Sequence, residues 1–255
     1  EHFGESLLLL AHFYMGGEIV KLVERYGGRV ADSYQLALQA TRNREKKVIV
    51  ESAVHFMAES IAILAADDQQ VWITNPKAGC TMEMMAKDWM VLPAAEQLLE
   101  RYGGDLAVVA YMNTGGRLKA LAGRTGGAVC TSSNAHLVVD WVRKKGKRVF
   151  FVPDHHLGRN TAAKLGMDLS RVVALPDPQV WSQRLKVDEQ TVPGGFAALD
   201  RAEMILWGSY CGVHTIFTKE HVEWWRTRGW RVIIHPESPI EAVQAADGSG
   251  STDFL

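Results

Sequence analysis

Six short runs of residues decide what this chain can fold into. Val48–Val50, Val71–Thr74, Leu106–Ala110, Val149–Val152, Met204–Trp207 and Val232–Ile234 are continuously apolar and rich in Val and Ile. A strand with one wet face alternates apolar and polar residues. A strand buried on both faces does not, and that is the mark of parallel sheets covered by helices. Each run gives way to a polar or glycine-bearing segment, and helical patterns such as Ala94–Arg101, Ala135–Lys144 and Lys219–Arg228 lie between them. The alternation specifies an α/β fold with parallel sheets. In such folds ligands gather at the carboxyl ends of strands, so the chemistry is sought in the residues just after each run.

A weak repeat runs through this pattern. Glu24-Arg25-Tyr26-Gly27-Gly28 and Glu100-Arg101-Tyr102-Gly103-Gly104 each close an expected helix, and Arg228-Gly229-Trp230 closes a third in looser form. A glycine C-cap is one explanation of each; a set of related α/β units stacked around a shared site is the other. Leu175–Asp200 stands apart. It carries Pro176, Pro178, Pro193, Gly194 and Gly195 without a clear period, and reads as a surface insertion.

Size and charge exclude several classes. A chain of 255 residues has room for one large domain or two to three small ones. A net charge of −1 argues against a general nucleic-acid or membrane-surface binder, and no apolar run approaches the ~20 residues that span a bilayer. Leu7–Ala11 is apolar but lacks a basic flank and a small-residue cleavage site, so no signal peptide is read. Three cysteines, Cys80, Cys130 and Cys211, are an odd and scattered set that suits a reducing cytoplasm better than a disulfide framework. The first residue is Glu1 rather than Met, and a processed, trimmed or incomplete N-terminus is expected.

The segments after the strands are chemically unusual: Asn75-Pro76-Lys77-Ala78-Gly79-Cys80, Tyr111-Met112-Asn113-Thr114, Cys130-Thr131-Ser132-Ser133-Asn134, Pro153-Asp154-His155-His156, Cys211-Gly212-Val213-His214, His235-Pro236-Glu237 and Gly248-Ser249-Gly250-Ser251-Thr252. One at a time, each has a plain explanation: a buried thiol, a satisfied imidazole, a helix cap. As a set, they are more than packing alone would select.

Together with His12-Phe13-Tyr14, Asp32-Ser33, Val54-His55-Phe56-Met57-Ala58-Glu59 and Gly79-Cys80-Thr81-Met82, these motifs occur in the order found in quinolinate synthases. The chain resembles that family over nearly its whole length. The resemblance implies three similar α/β domains around a central site, here placed at 1–88, 89–215 (with the insertion near 175–200) and a partial third at 216–255. It implies a 4Fe-4S cluster held by one cysteine per domain, with Cys80 and Cys211 matching two of the ligands. Cys130 matches no ligand and is expected to be structural. The implied reaction condenses iminoaspartate with dihydroxyacetone phosphate to quinolinate in NAD biosynthesis, with L-aspartate oxidase as the functional partner by pathway. By the same resemblance Tyr14, Tyr111, Glu237 and His235 are catalytic, and His12, Ser33, Asn113, Ser132, His214, Ser251 and Thr252 bind substrate. Those residue types suit two carboxylates, a phosphate and several proton transfers.

Three departures from the family pattern stand out. Ser238 follows His-Pro-Glu where the family often has a non-ligand cysteine, a change expected to cost little. The insertion lengthens the second unit. No cysteine follows Cys211, so the third ligand is expected beyond Leu255, near position 283 if the spacing from Arg25 to Cys80 recurs after Arg228, and the chain alone is expected to be inactive. Two other readings are weighed. A zinc hydrolase rests on Cys211 with His214 and on His155-His156, but a Cys-x-x-His pair supplies too few ligands. A non-catalytic phosphoanion-binding protein of the same fold needs no cluster.

Overall fold

A computed structural model describes residues 3–177, 186–252 and 254 of the chain. Pro178 and Asp253, and the 178–185 part of the expected insertion, lie outside the described residues. The chain forms two compact units, Glu1–Cys80 and Thr81–Leu255.

In the first unit the order is β1 (Leu7–His12), α1 (Gly17–Arg25), β2 (Arg29–Ala31), α2 (Ser33–Ala37), α3 (Gln39–Arg42), β3 (Val48–Ser52), α4 (His55–Leu64) and β4 (Gln70–Ile73). The four strands are parallel in the order β2-β1-β3-β4. The Leu7–Ala11 run is a central strand of this sheet. Leu8, Leu10 and Ile49 pack against Leu36, Ala40 and Ile61 from the helices, which is why neither β1 nor β3 needs an alternating pattern.

The second unit continues with α5 (Thr81–Met84), α6 (Asp88–Tyr102), β5 (Leu106–Tyr111), α7 (Gly116–Arg124), β6 (Val129–Cys130), α8 (Ala135–Lys144), β7 (Arg148–Val152), α9 (His155–Lys164), β8 (Val172–Ala174), α10 (Gly195–Arg201) and β9 (Met204–Leu206). Its sheet is parallel in the order β6-β5-β7-β9-β8. Trp207, fully buried, donates its indole N–H to the Met85 carbonyl at 3.0 Å, so its polar edge is satisfied inside the core. Then come α11 (Lys219–Arg226), β10 (Ile233–Ile234), α12 (Ile240–Ala245) and β11 (Gly248–Ser249), with β10 and β11 paired in parallel. Among the described residues, no helix is long and apolar enough to cross a membrane.

The order β2-β1-β3-β4 recurs as β6-β5-β7-β9, with β8 added at the edge. Register shows which residues correspond. Ala11 and His12 pair with Val30 and Ala31, as Ala110 and Tyr111 pair with Val129 and Cys130. A Cβ on Gly28 would lie 2.4 Å from the Leu9 carbonyl oxygen, and one on Gly127 would lie 1.9 Å from that of Val108. Both sites use the same close approach, which only glycine allows. The matching helices are therefore α1 and α7, and Arg25 corresponds to Arg124. Arg101 ends α6, which precedes β5. The two Glu-Arg-Tyr-Gly-Gly motifs look alike because each helix ends on a glycine with positive φ, +70° at Gly27 and +52° at Gly103. The spacing argument for a cysteine near 283 loses its basis.

Two further expectations change. Helix α6 begins at Asp88, six residues before Ala94, with Pro93 inside it. Proline removes one N–H bond, but Val91, Ala94, Ala95 and Leu98 are buried on both sides of it and hold the turn in place. The stretch read as a surface insertion buries Val187, Val192 and Leu199 in the core of the second unit. Of these three, Val187 and Val192 lie on a loop and Leu199 on the short α10, so no period shows.

Candidate active site

Tyr111, the last residue of β5, is 7% exposed and donates its hydroxyl to Glu237 Oε1 at 2.6 Å. Glu237 follows β10, and its Oε2 lies 3.0 Å from His214 Nδ1. That contact is off the line of a hydrogen bond, so it acts as an electrostatic pair. His214 stacks on His235 with ring centres 4.4 Å apart, and His235 Nδ1 accepts the Glu237 amide at 3.3 Å. Cys211, half-buried, completes the group: its Sγ, a His214 ring nitrogen and a Glu237 oxygen all lie within 4.8 Å of one another.

The environments push these groups apart in charge. Burial would lower His214, but the Cys211 thiol and the Glu237 carboxylate outweigh it and raise the ring to about 10. Burial lowers His235 to about 4, so the two rings of the stacked pair are pushed in opposite directions. Burial, the Glu237 charge and the hydrogen bond to it raise Tyr111 well above its ordinary value. Burial also works to raise Glu237, yet His214 and the Tyr111 hydroxyl hold its carboxyl below the ordinary value. An imidazole pushed up, a carboxylate pushed down and a phenol pushed up thus lie side by side, with the carboxylate held ionised between the other two.

Two side chains that sequence reasoning left out of the site hold this group in place. Asn160, on α9, donates to the carbonyls of Pro236 and Ser238 at 2.8 and 2.9 Å and so fixes the Glu237 loop. Asp154, the N-cap of α9, accepts from the Leu157 amide at 2.6 Å and the Cys211 amide at 2.9 Å. Its carboxyl is raised by burial and by the Glu237 charge, against those two amides. The Pro-Asp-x-x-Leu pattern of a cap was legible at Asp154; nothing local marks Asn160. Ser238 is fully buried, and among the described residues its hydroxyl meets no hydrogen-bond partner.

The other candidates occupy equivalent places. Ser33, Ser132 and Ser251 each come three positions after a matched strand residue, Val30, Val129 and Gly248. Asn113 follows β5. Among the described residues, the side chains of Asn113, Ser132 and Ser251 make no hydrogen bond to the Tyr111–Glu237 group. Thr252 lies one residue past Ser251, half-buried. In the first unit His12 is buried and lowered to about 4 by that burial. Its Nδ1 accepts the Tyr14 amide at 3.2 Å and its Nε2 lies 3.5 Å from the Ser33 hydroxyl. Tyr14 itself is 66% exposed. Cys80, half-buried, ends the first unit.

The thiols divide by setting. Cys80 and Cys211 are half-buried on loops, where sulfur can reach a metal. Cys130 is enclosed and its thiol is pushed up by burial, which suits a structural role. The three-donor group at Cys211 also removes the ground on which a zinc site was set aside, because Glu237 is a third ligand type brought from far along the chain. Glu237, however, is already engaged by Tyr111 and His214.

The family model for quinolinate synthetase A protein matches residues 3–255. The chain belongs to the quinolinate synthetase A family. Quinolinate synthase of Corynebacterium glutamicum is 40% identical over 255 residues, covering 99% of this chain and 61% of that protein. The quinolinate synthases of Geobacillus kaustophilus and Bacillus velezensis are 40% and 39% identical, covering 100% and 99% of this chain and 66% and 65% of those proteins. The chain thus spans just under two thirds of the length of these relatives.

Proposed function

We propose that this chain is the greater part of a quinolinate synthase that condenses iminoaspartate with dihydroxyacetone phosphate, releasing phosphate and water, in NAD biosynthesis. The observation that carries the reading is the buried Tyr111–Glu237–His214 line beside the Cys211 thiol, set in a chain of that family. In this reading Cys80, Cys211 and a third thiolate would hold a 4Fe-4S cluster. When bound, such a cluster leaves one iron open as a Lewis acid for substrate oxygen or nitrogen.

The chain's own residues handle protons and anions. Tyr111 keeps its proton and donates a hydrogen bond to Glu237, which His214 and that bond hold below its ordinary value and so ionised, a carboxylate able to take a proton from substrate. Neutral His235, whose Nδ1 accepts the Glu237 amide, carries its proton on Nε2 and donates from there. Serines 33, 132 and 251, with Asn113 and Thr252, are assigned to substrate carboxylates and phosphate. Neutral His12 and Tyr14 serve the first unit's share of the chemistry. L-aspartate oxidase supplies the imine, and the reducing cytoplasm keeps the thiols out of disulfides.

The test uses the protein expressed from its whole gene, purified anaerobically and reconstituted with iron and sulfide. A brown protein that forms quinolinate from the two substrates supports the reading. A colourless protein that binds phosphate and forms no quinolinate favours the phosphoanion-binding alternative.

A further inference from the structure

Cys211 lies at the end of a loop that is tied down one residue at a time. Asp154 and Ser209 form a parallel bridge. The His155 amide donates to the Ser209 carbonyl at 2.8 Å, and the Ser209 hydroxyl donates to the Pro153 carbonyl at 2.6 Å. The lacing ends on the thiol residue itself, whose amide donates to Asp154 Oδ2 at 2.9 Å. The other oxygen, Oδ1, takes the Leu157 amide at 2.6 Å. Asp154 is 0% exposed.

A helix cap does not need this residue. Serine, threonine and asparagine cap about as well as aspartate, and an ionisable group wholly out of water is costly unless both its oxygens are used. What the carboxyl group adds is a second acceptor, rigidly coplanar with the first, which no other capping side chain has. One oxygen serves α9; the second serves Cys211.

We propose that Asp154 is a positioning residue for the Cys211 thiol. By fixing the Cys211 amide to the start of α9, it sets the direction in which Sγ leaves the loop and keeps it in register with His214 and Glu237. The same helix holds the Glu237 loop through Asn160, so α9 is the common mount for the thiol and the carboxylate. The inference rests on the reading of Cys211 as a metal ligand.

Asp154→Asn separates the two roles. An amide has one acceptor, so with its oxygen on Leu157 its NH2 group faces the Cys211 N–H, donor against donor. Asp154→Ser is the second variant: its hydroxyl caps α9 but is too short to serve both amides. The measurement is backbone amide exchange by mass spectrometry on the protein from its whole gene, with iron per chain after anaerobic reconstitution and the thermal midpoint alongside. Both variants are expected to speed exchange in residues 208–213 by about tenfold or more, the scale of one lost hydrogen bond. Exchange in residues 155–164 should hold near wild type, the thermal midpoint should fall by only a few degrees, the scale of one buried hydrogen bond, and iron per chain should fall severalfold. Wild-type exchange in 208–213, acceleration spread equally over α9, or failure of both variants to fold would each overturn the proposal and leave Asp154 a cap or a folding residue. A wild-type protein that takes up no iron would count against the cluster reading instead, and the exchange pattern would still decide the role of Asp154.

Discussion

At the carboxyl end of β1 stand His12 and Tyr14, with Ser33 after β2; at the matching end of β5 stand Tyr111 and Asn113, with Ser132 after β6. The backbone device is the same in both places, a glycine pressed on a strand carbonyl, and so is the serine. The residues at the strand tips differ. The frame is constrained by backbone contact, which tolerates one residue type, whereas a tip residue has only to present the right polar group. The two ends also find partners differently. His12 bonds to Tyr14 and Ser33 within its own unit's first 33 residues. Tyr111 finds Glu237, 126 residues away. Buried carboxylates differ too: Asp154 has both oxygens filled, while Glu51, on β3, is fully buried and among the described residues neither of its oxygens meets a hydrogen-bond partner.

The sharpest way to break this comparison is to remove thiols. Cys80→Ala and Cys211→Ala should each abolish the cluster, while Cys130→Ala should leave iron content nearly unchanged, as measured by iron analysis of reconstituted protein. Loss of iron on Cys130→Ala would overturn the division of the three cysteines. Next comes Glu51. Burial raises its carboxyl from 4.5 to about 8, so the stability it contributes is fully present below about pH 4.5 and is lost as pH rises through about 8. A raise of that size corresponds to about 4–5 kcal/mol. Glu51→Gln should flatten the fall in stability of the first unit across that window; an unchanged pH profile from denaturant unfolding would show that Glu51 finds a partner or water. Smaller again is the glycine pair. Gly28→Ala and Gly127→Ala should each cost about 3 kcal/mol, toward the upper end of overpacking penalties, and by similar amounts if the two frames are equivalent. A large cost at one and none at the other would break the equivalence.

Much of this was legible in the sequence. The continuous Val and Ile runs mark buried parallel strands, and five of the six fall on strands of the two larger sheets, with Val232–Ile234 overlapping β10. The short strands β2, β6 and β8 escaped notice, because two or three residues carry no period and their pairing is set by neighbours. The Pro- and Gly-rich stretch around α10 misled for a related reason: Val187, Val192 and Leu199 are core residues spaced by a loop rather than by a helix or strand. At the site, the motif order picked out Tyr111, His214, His235, Glu237 and Cys211, and the structure brings these together. It could not show that Glu237 binds Tyr111 and faces His214, or that Asn160 and Asp154 hold the loops, since those contacts join residues far apart in the chain.

The account stands or falls on the Tyr111–Glu237 bond. Tyr111→Phe deletes one hydroxyl in a buried position and leaves the ring packing intact. With iron content matched to wild type, quinolinate formation should drop about 100-fold or more, the scale of a lost general acid–base group, while the thermal midpoint falls by only several degrees, the scale of one hydrogen bond to a buried carboxylate. Wild-type turnover in that variant, at equal cluster content, would contradict the proposal that the buried line of Tyr111, Glu237 and His214 carries the protons of the reaction.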